Sequence, residues 1–125
     1  MEWMDSVPIT LLQKDLDGLW TRQRAVSNNI ANFETPGYKS KSVSFEDLLR
    51  EQVSDPSKTE GETVQGLESV QPVTEELPDV YRADGNGVDL EKESLNLART
   101  QLNYSYSIQE LSDSFARLKT AIGAK

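Results

Sequence analysis

Ser27-Asn28-Asn29-Ile30-Ala31-Asn32-Phe33-Glu34-Thr35-Pro36-Gly37-Tyr38-Lys39 ends one long periodic segment and turns the chain out of it. Asparagine is unfavourable inside helices because its amide competes for nearby backbone groups, and it is favoured at helix ends and turns. Asn28 and Asn32 are four apart and share a face of the last helical turns. Thr35-Pro36-Gly37-Tyr38 supplies a fixed φ followed by a residue tolerant of positive φ, the recipe for a type II turn. A helix end plus a turn accounts for Pro36-Gly37. Three amides in front of it call for ordered hydrogen bonding, and a neighbouring chain is the expected partner.

Upstream of this run, Ile9, Leu12, Leu16, Leu19, Val26, Ile30 and Phe33 recur in steps of three and four, with only Gln23 out of register. Such a seam belongs to a helix that packs on another helix. Pro8 suits a first turn and Ser6 a cap, which places the helix over about residues 9–32. Downstream, Leu90, Leu97, Tyr104, Leu111 and Leu118 recur every seven residues, with Ile108, Phe115 and Ile122 in the companion position. Ser94 and Gln101 hold that companion position early on, so the seam is most apolar toward its end. Leu95, Ala98 and Leu102 add a second stripe, wider than one partner helix needs. Asp89 is the expected N-cap of this second helix, over about residues 89–122, with Glu91 and Glu93 in the first turn and Arg117 and Lys119 near the end.

The two helices are expected to pair as an antiparallel, coiled-coil-like hairpin in a mainly α fold. Ile9, Leu12, Leu16, Leu19, Val26 and Ile30 should face Leu97, Tyr104, Leu111, Phe115, Leu118 and Ile122, with Ile108 flanking. Three stretches follow: residues 1–36, the N-terminal helix and turn; 37–88, a short helical turn and a flexible acidic segment; and 89–125, the C-terminal helix. In the middle, Ser44 precedes Phe45-Glu46-Asp47-Leu48-Leu49 and reads as the cap of a short helical turn. Residues 51–80 hold Pro56, Pro72, Pro78, Gly61 and Gly66 among many acids and show no period, so a partly disordered or irregular chain is expected there.

Composition narrows the function. A chain of 125 residues, 36% hydrophobic with mean hydropathy -0.59, has little scope for a self-sufficient core. There is no apolar run long enough to span a membrane, and Met1-Glu2-Trp3-Met4-Asp5 lacks the basic and apolar regions of a cleavable signal peptide. Cysteine and histidine are both absent, which removes disulfides, thiolate ligands and the commonest general base. No Ser-His-Asp or Cys-His apparatus can be built, and no enzyme is expected. The net charge of -8 is concentrated in residues 33–88, which carry 5 basic and 12 acidic side chains. That distribution disfavours nucleic acid and anionic membrane as partners.

Other patterns carry less. Asp84-Gly85-Asn86-Gly87-Val88-Asp89 hints at a calcium loop, but the sixth position is Asp89 rather than Gly and the twelfth is Leu95 rather than Glu. A tight turn before a capped helix explains it better, and neither metal nor cofactor is expected. Asn103-Tyr104-Ser105 matches a glycosylation sequon inside the heptad seam, which favours coincidence. Trp20, beside Leu19, reads as a packing residue.

Asn28-Asn29-Ile30-Ala31-Asn32 followed by Thr35-Pro36-Gly37-Tyr38-Lys39 resembles the N-terminal signature of bacterial flagellar rod, hook and hook-associated proteins. Phe33-Glu34 departs from the small or polar residues usual between the two parts. Tyr81-Arg82, Asp84-Gly85-Asn86 and Val88-Asp89-Leu90-Glu91 before a long helix resemble the proximal members of the basal-body rod family. The resemblance implies a structural, self-assembling subunit of the drive shaft that crosses the periplasm. It also implies export without cleavage by the flagellar type III apparatus, polymerisation through terminal helices, and partners among other rod proteins and the adaptor joining rod to ring. No small-molecule substrate is implied. Asn28, Asn29, Asn32 and the Thr35–Tyr38 turn would then sit at a contact between subunits. Another component of the same rod is the nearer alternative. A cytoplasmic acidic helical-hairpin adaptor or export chaperone is the alternative from a different class.

Overall fold

The computed structural model describes residues 6–78 and 88–123. Readings placed on Met1–Asp5, on Tyr81-Arg82 and on most of the Asp84–Asp89 loop lie outside those residues. Six elements follow in order: α1 (Val7–Ala31), β1 (Lys41–Ser44), α2 (Glu46–Val53), α3 (Glu60–Ser69), β2 (Val73–Glu76) and α4 (Leu90–Gly123). The two long helices start and stop within two residues of the bounds that periodicity places on them. Hydrophobic spacing and end signals are local properties, so they survive without knowledge of the fold.

α1 and α4 run antiparallel against each other. Asp15 on α1 accepts a hydrogen bond from Ser107 on α4, and Asn29 on α1 donates to Glu93 on α4. Fourteen residues separate the two contacts on each helix, so the pair keeps one register for two heptads. The line of α4 turned most fully inward is polar: Glu93 and Thr100 are buried and Ser107 half-buried, each seven apart. Leu97, Tyr104, Leu111 and Leu118 flank that line, half-buried. Ile108, Phe115 and Ile122, expected in the seam, remain 43%, 37% and 66% exposed. Polar side chains thus hold the most covered line of α4, and the far edge of its apolar stripe stays outside.

Residues 51–78, the described part of that segment, hold more regular structure than their composition predicts. α3 carries Thr63, Val64 and Leu67 buried on one side, followed by buried Val70. Its start is a capping sequence, Thr59-Glu60-Gly61-Glu62, in which Thr59 accepts a hydrogen bond from the Glu62 amide. Flanking prolines and two glycines hide this short apolar period in the sequence. β2 pairs antiparallel with β1, placing Lys41 opposite Glu76 and Val43 opposite Thr74.

The middle segment builds the core on a second face of α1. Leu19, Ala25, Val43, Phe45, Leu49, Leu67 and Val70 form one buried cluster, with Val7, Leu11, Leu48 and Tyr104 packed at its margin. Leu11, Gly18 and Ala25 recur every seven residues and form the floor on which this segment sits. Phe45 occupies the centre: an added Cβ on Gly18 would lie 2.5 Å from its ring, and the Arg22 guanidinium stands 4.8 Å over it. That seating changes how α2 begins. Ser44 is the last residue of β1 rather than a cap, and Phe45, whose ring has no acceptor to offer the helix amides, holds the cap position. Ser6 likewise stands at the cap position of α1 without a side-chain bond. Trp20 is 52% exposed, so about half of its surface is left open by the subunit.

Candidate assembly site

The asparagine run ends α1 as its composition indicates, and each amide has a different use. Asn32 holds the C-cap position. Its Nδ2 donates to the Asn28 carbonyl at 2.8 Å, and its Oδ1 accepts from the Thr35 hydroxyl at 3.1 Å. The turn then closes with the Tyr38 amide donating to the Thr35 carbonyl at 3.2 Å and Gly37 at φ 76°, the backbone of a type II turn.

Asn29 is fully buried and forms a hub. Its Nδ2 donates to the Lys41 carbonyl at 2.8 Å and to Glu93 Oε2 at 3.0 Å. Its Oδ1 accepts from the Lys41 amide at 2.9 Å and from the Tyr38 hydroxyl at 3.2 Å. One side chain thus fastens α1 to the turn, to β1 and to α4, using both ends of the amide. The expectation of an inter-subunit role does not hold for Asn29, because its bonding capacity is met inside the chain. Asn28 is exposed, and Ile30 is half-buried beside Ala31, which is exposed. Asp89 caps α4 by accepting from the Lys92 amide at 3.3 Å.

Tyr38 titrates above the ordinary phenol value. Burial raises it first, and the negative charges of Glu93 and Glu76 raise it further. A raised folded value means the folded state holds the proton more tightly. The stabilisation it brings is therefore complete below about pH 10, the unfolded phenol value, and is lost as pH rises through the folded one. Tyrosinate absorbance on alkaline titration should show a late phase from Tyr38 that coincides with loosening of the α1–β1 junction. Tyr38→Phe should abolish that late phase; an unchanged titration in the variant would exclude Tyr38 as its source.

A second surface is apolar and open. Leu95, Leu102 and Tyr106 lie exposed on the side of α4 away from α1, while Ile108, Phe115 and Ile122 line the edge of its contact. Of the seam residues named from sequence, Ile9, Leu19 and Val26 are buried, and Leu12, Leu16 and Ile30 are half-buried. Leu19 belongs to the Phe45 cluster rather than only to the α4 contact. Sequence reading missed Gly18, Arg22 and Ala25 on the other face of α1. The available signal was Gly18, which costs about 1 kcal/mol relative to alanine in a helix interior and so flags a close approach. Among the described residues no cluster of carboxylates is placed to hold a metal ion, and no helix is long and apolar enough to cross a membrane.

Known proteins resemble this arrangement of sequence. A family described as "Flagella basal body rod protein" matches residues 20–39, the end of α1 and the turn. The chain is 35% identical over 105 residues to the flagellar basal body rod protein FlgB of Bacillus subtilis (strain 168), covering 81% of each chain. It is 32% identical over 110 residues to FlgB of Borrelia hermsii, covering 78% of this chain and 82% of that one. With FlgB of Escherichia coli (strain K12) the identity is 31% over 103 residues, covering 73% and 75%.

Proposed function

Because the chain belongs to the FlgB family of flagellar basal body rod proteins, we propose that it is a structural subunit of the proximal rod that assembles through the uncovered faces of α1 and α4. The observation that carries this reading is the apolar surface left on α4 after it has paired with α1. Tyr106 and Ile122 are each about two-thirds exposed, at 65% and 66%, and Trp20 adds a large exposed aromatic on α1. Exposed apolar area of this kind along one long helix marks an interaction surface. A short chain with a modest core gains the missing burial from its neighbours, so assembly and final stability are coupled.

In this role the protein works without catalysis, as a mechanical element of the motility apparatus. Its partners are further copies of itself, other rod proteins and the adaptor between rod and ring, and it reaches them through the flagellar type III export apparatus. Neither nucleic acid nor a small-molecule substrate takes part. The acidity of residues 33–88 supports the first exclusion, and the lack of histidine and cysteine supports a non-catalytic role.

Outward substitutions separate assembly from folding. Leu102→Asp combined with Tyr106→Asp should leave monomer stability within about 0.5 kcal/mol, since both side chains already face water. The same variant should lose incorporation into purified basal bodies and with it swimming. Leu111→Asp or Leu118→Asp, on the half-buried flank of the α1–α4 contact, should abolish assembly and also weaken the monomer. Normal motility in both sets would refute the role given to α4.

A further inference from the structure

We propose that the cleft between α1, β1 and α4 receives exposed acidic side chains from the α2–α3 segment of a second copy of this chain, so that copies join head to tail. This contact rests on the rod reading above and specifies one of the surfaces through which it operates. The cleft has a volume of about 360 Å³, and its walls carry Arg22, Lys41, Lys92 and Arg99, with Glu93 the one carboxylate among the described lining residues. Arg22 is already engaged, donating to the Val43 carbonyl and to the Glu46 carboxylate. Glu93 accepts from Asn29 at the base of the cleft and is 4% exposed. Among the described residues, none of Lys41, Lys92 and Arg99 has an ion-pair partner. Four cations gathered round one cleft, three of them without an ion-pair partner among the described residues, stand out in a chain of net charge -8.

The complementary surface is in the same chain. Glu51, Glu60, Glu62 and Glu68 on α2 and α3 are exposed and have no ion-pair partner among the described residues. Buried Leu67 and Val70 anchor α3, and Lys14 on the first half of α1 donates to the Glu68 carbonyl at 3.3 Å. The cleft opens beside the second half of α1, at Arg22, Ala25 and Val26. An anchored α3 cannot bring its acids into the cleft of its own subunit, whereas a neighbour's α3 can. Two different patches meeting between identical copies make a heterologous contact, which propagates into a filament instead of closing a dimer. Charge complementarity also fixes the polarity of addition and disfavours the reversed orientation, in which like charges would face each other.

The absence of native cysteine allows a direct test. Arg99→Cys and Glu62→Cys chains, co-expressed in place of the native copy and treated with a short bismaleimide, should give a cross-linked species of twice the chain mass in purified basal bodies. Neither variant alone should give it. Separately, Lys92→Glu with Arg99→Glu should reduce incorporation by about tenfold, equivalent to about 1.4 kcal/mol of contact. Adding Glu60→Lys with Glu62→Lys to the same chain should restore it. All four positions are exposed, so circular dichroism of the purified variants should match the parent. Absence of the cross-link when both cysteine variants are incorporated overturns the contact. Charge reversal without loss, or loss without rescue, overturns it too, and a cross-link to a chain of different mass assigns the cleft to another protein. Absence of the parent chain from basal bodies overturns the rod reading and the contact together, which distinguishes the two failures.

Discussion

Asn29→Ala is expected to destabilise the monomer by about 3 kcal/mol or more, because it strips hydrogen-bond partners from several groups at once. The Lys41 amide and carbonyl lose their bonds to the side chain, and the buried Glu93 carboxylate loses the Asn29 donor. Water reaches the Tyr38 hydroxyl more readily, so that group contributes less to the loss. Domains of this size are stable by only about 5–15 kcal/mol, so a loss on this scale is visible in any unfolding curve. Asn28→Ala, one residue earlier but exposed, should stay within about 0.5 kcal/mol. Asn29→Asp should be worse than Asn29→Ala, since it sets a second carboxylate against Glu93, and Glu93→Gln should relieve part of that penalty by removing the repulsion. Urea midpoints followed by circular dichroism would rank these variants. Equal midpoints for Asn28→Ala and Asn29→Ala would show that the hub does not hold the fold together.

The second large effect is centred on Phe45. Phe45→Ala removes a ring buried among Leu19, Leu49 and Leu67 and should cost about 3–5 kcal/mol. Its contact with α1 predicts a reversal of sign at Gly18. In the parent chain Gly18→Ala drives a methyl into the ring, and this overpacking of about 1–3 kcal/mol outweighs the gain in helix propensity. Against a Phe45→Ala background the obstruction is gone, so Gly18→Ala should stabilise by up to about 1 kcal/mol. A double-mutant cycle on thermal or urea midpoints reads the difference as a coupling energy. If Gly18→Ala had the same sign in both backgrounds, the close approach of ring and helix would not be the reason for glycine there.

Different parts of the fold were legible from the sequence to different degrees. The bounds of α1 and α4, the Asp89 cap and the Thr35–Tyr38 turn depend on residues within a few positions of one another, and local spacing reveals them. The second face of α1 was not legible, because Gly18 and Ala25 carry little hydrophobic signal and leave Leu11 isolated beside the stronger stripe of Ile9, Leu16 and Leu19. α3 was hidden for a related reason. Its apolar residues span barely two turns, and only contact with Leu49 and Phe45 makes that short period worth ordering. In the same way adjacency to Leu19 suggests packing for Trp20, yet Leu19 is buried and Trp20 half open because neighbours in a helix point to different sides.

The sequence by itself determined that two long amphipathic helices flank an acidic middle, and that an amide-rich run followed by a Pro-Gly turn ends the first. Tertiary structure alone decided how the three amides are divided. Asn32 closes the helix end, Asn28 remains at the surface, and Asn29 joins groups 12 and 64 residues away. Periodicity records only which side chains share a face. The partner of a buried amide depends on which remote carbonyl and carboxylate the packed helices bring within about 3 Å of it, and that distance is set by the contact of α1 with β1 and α4.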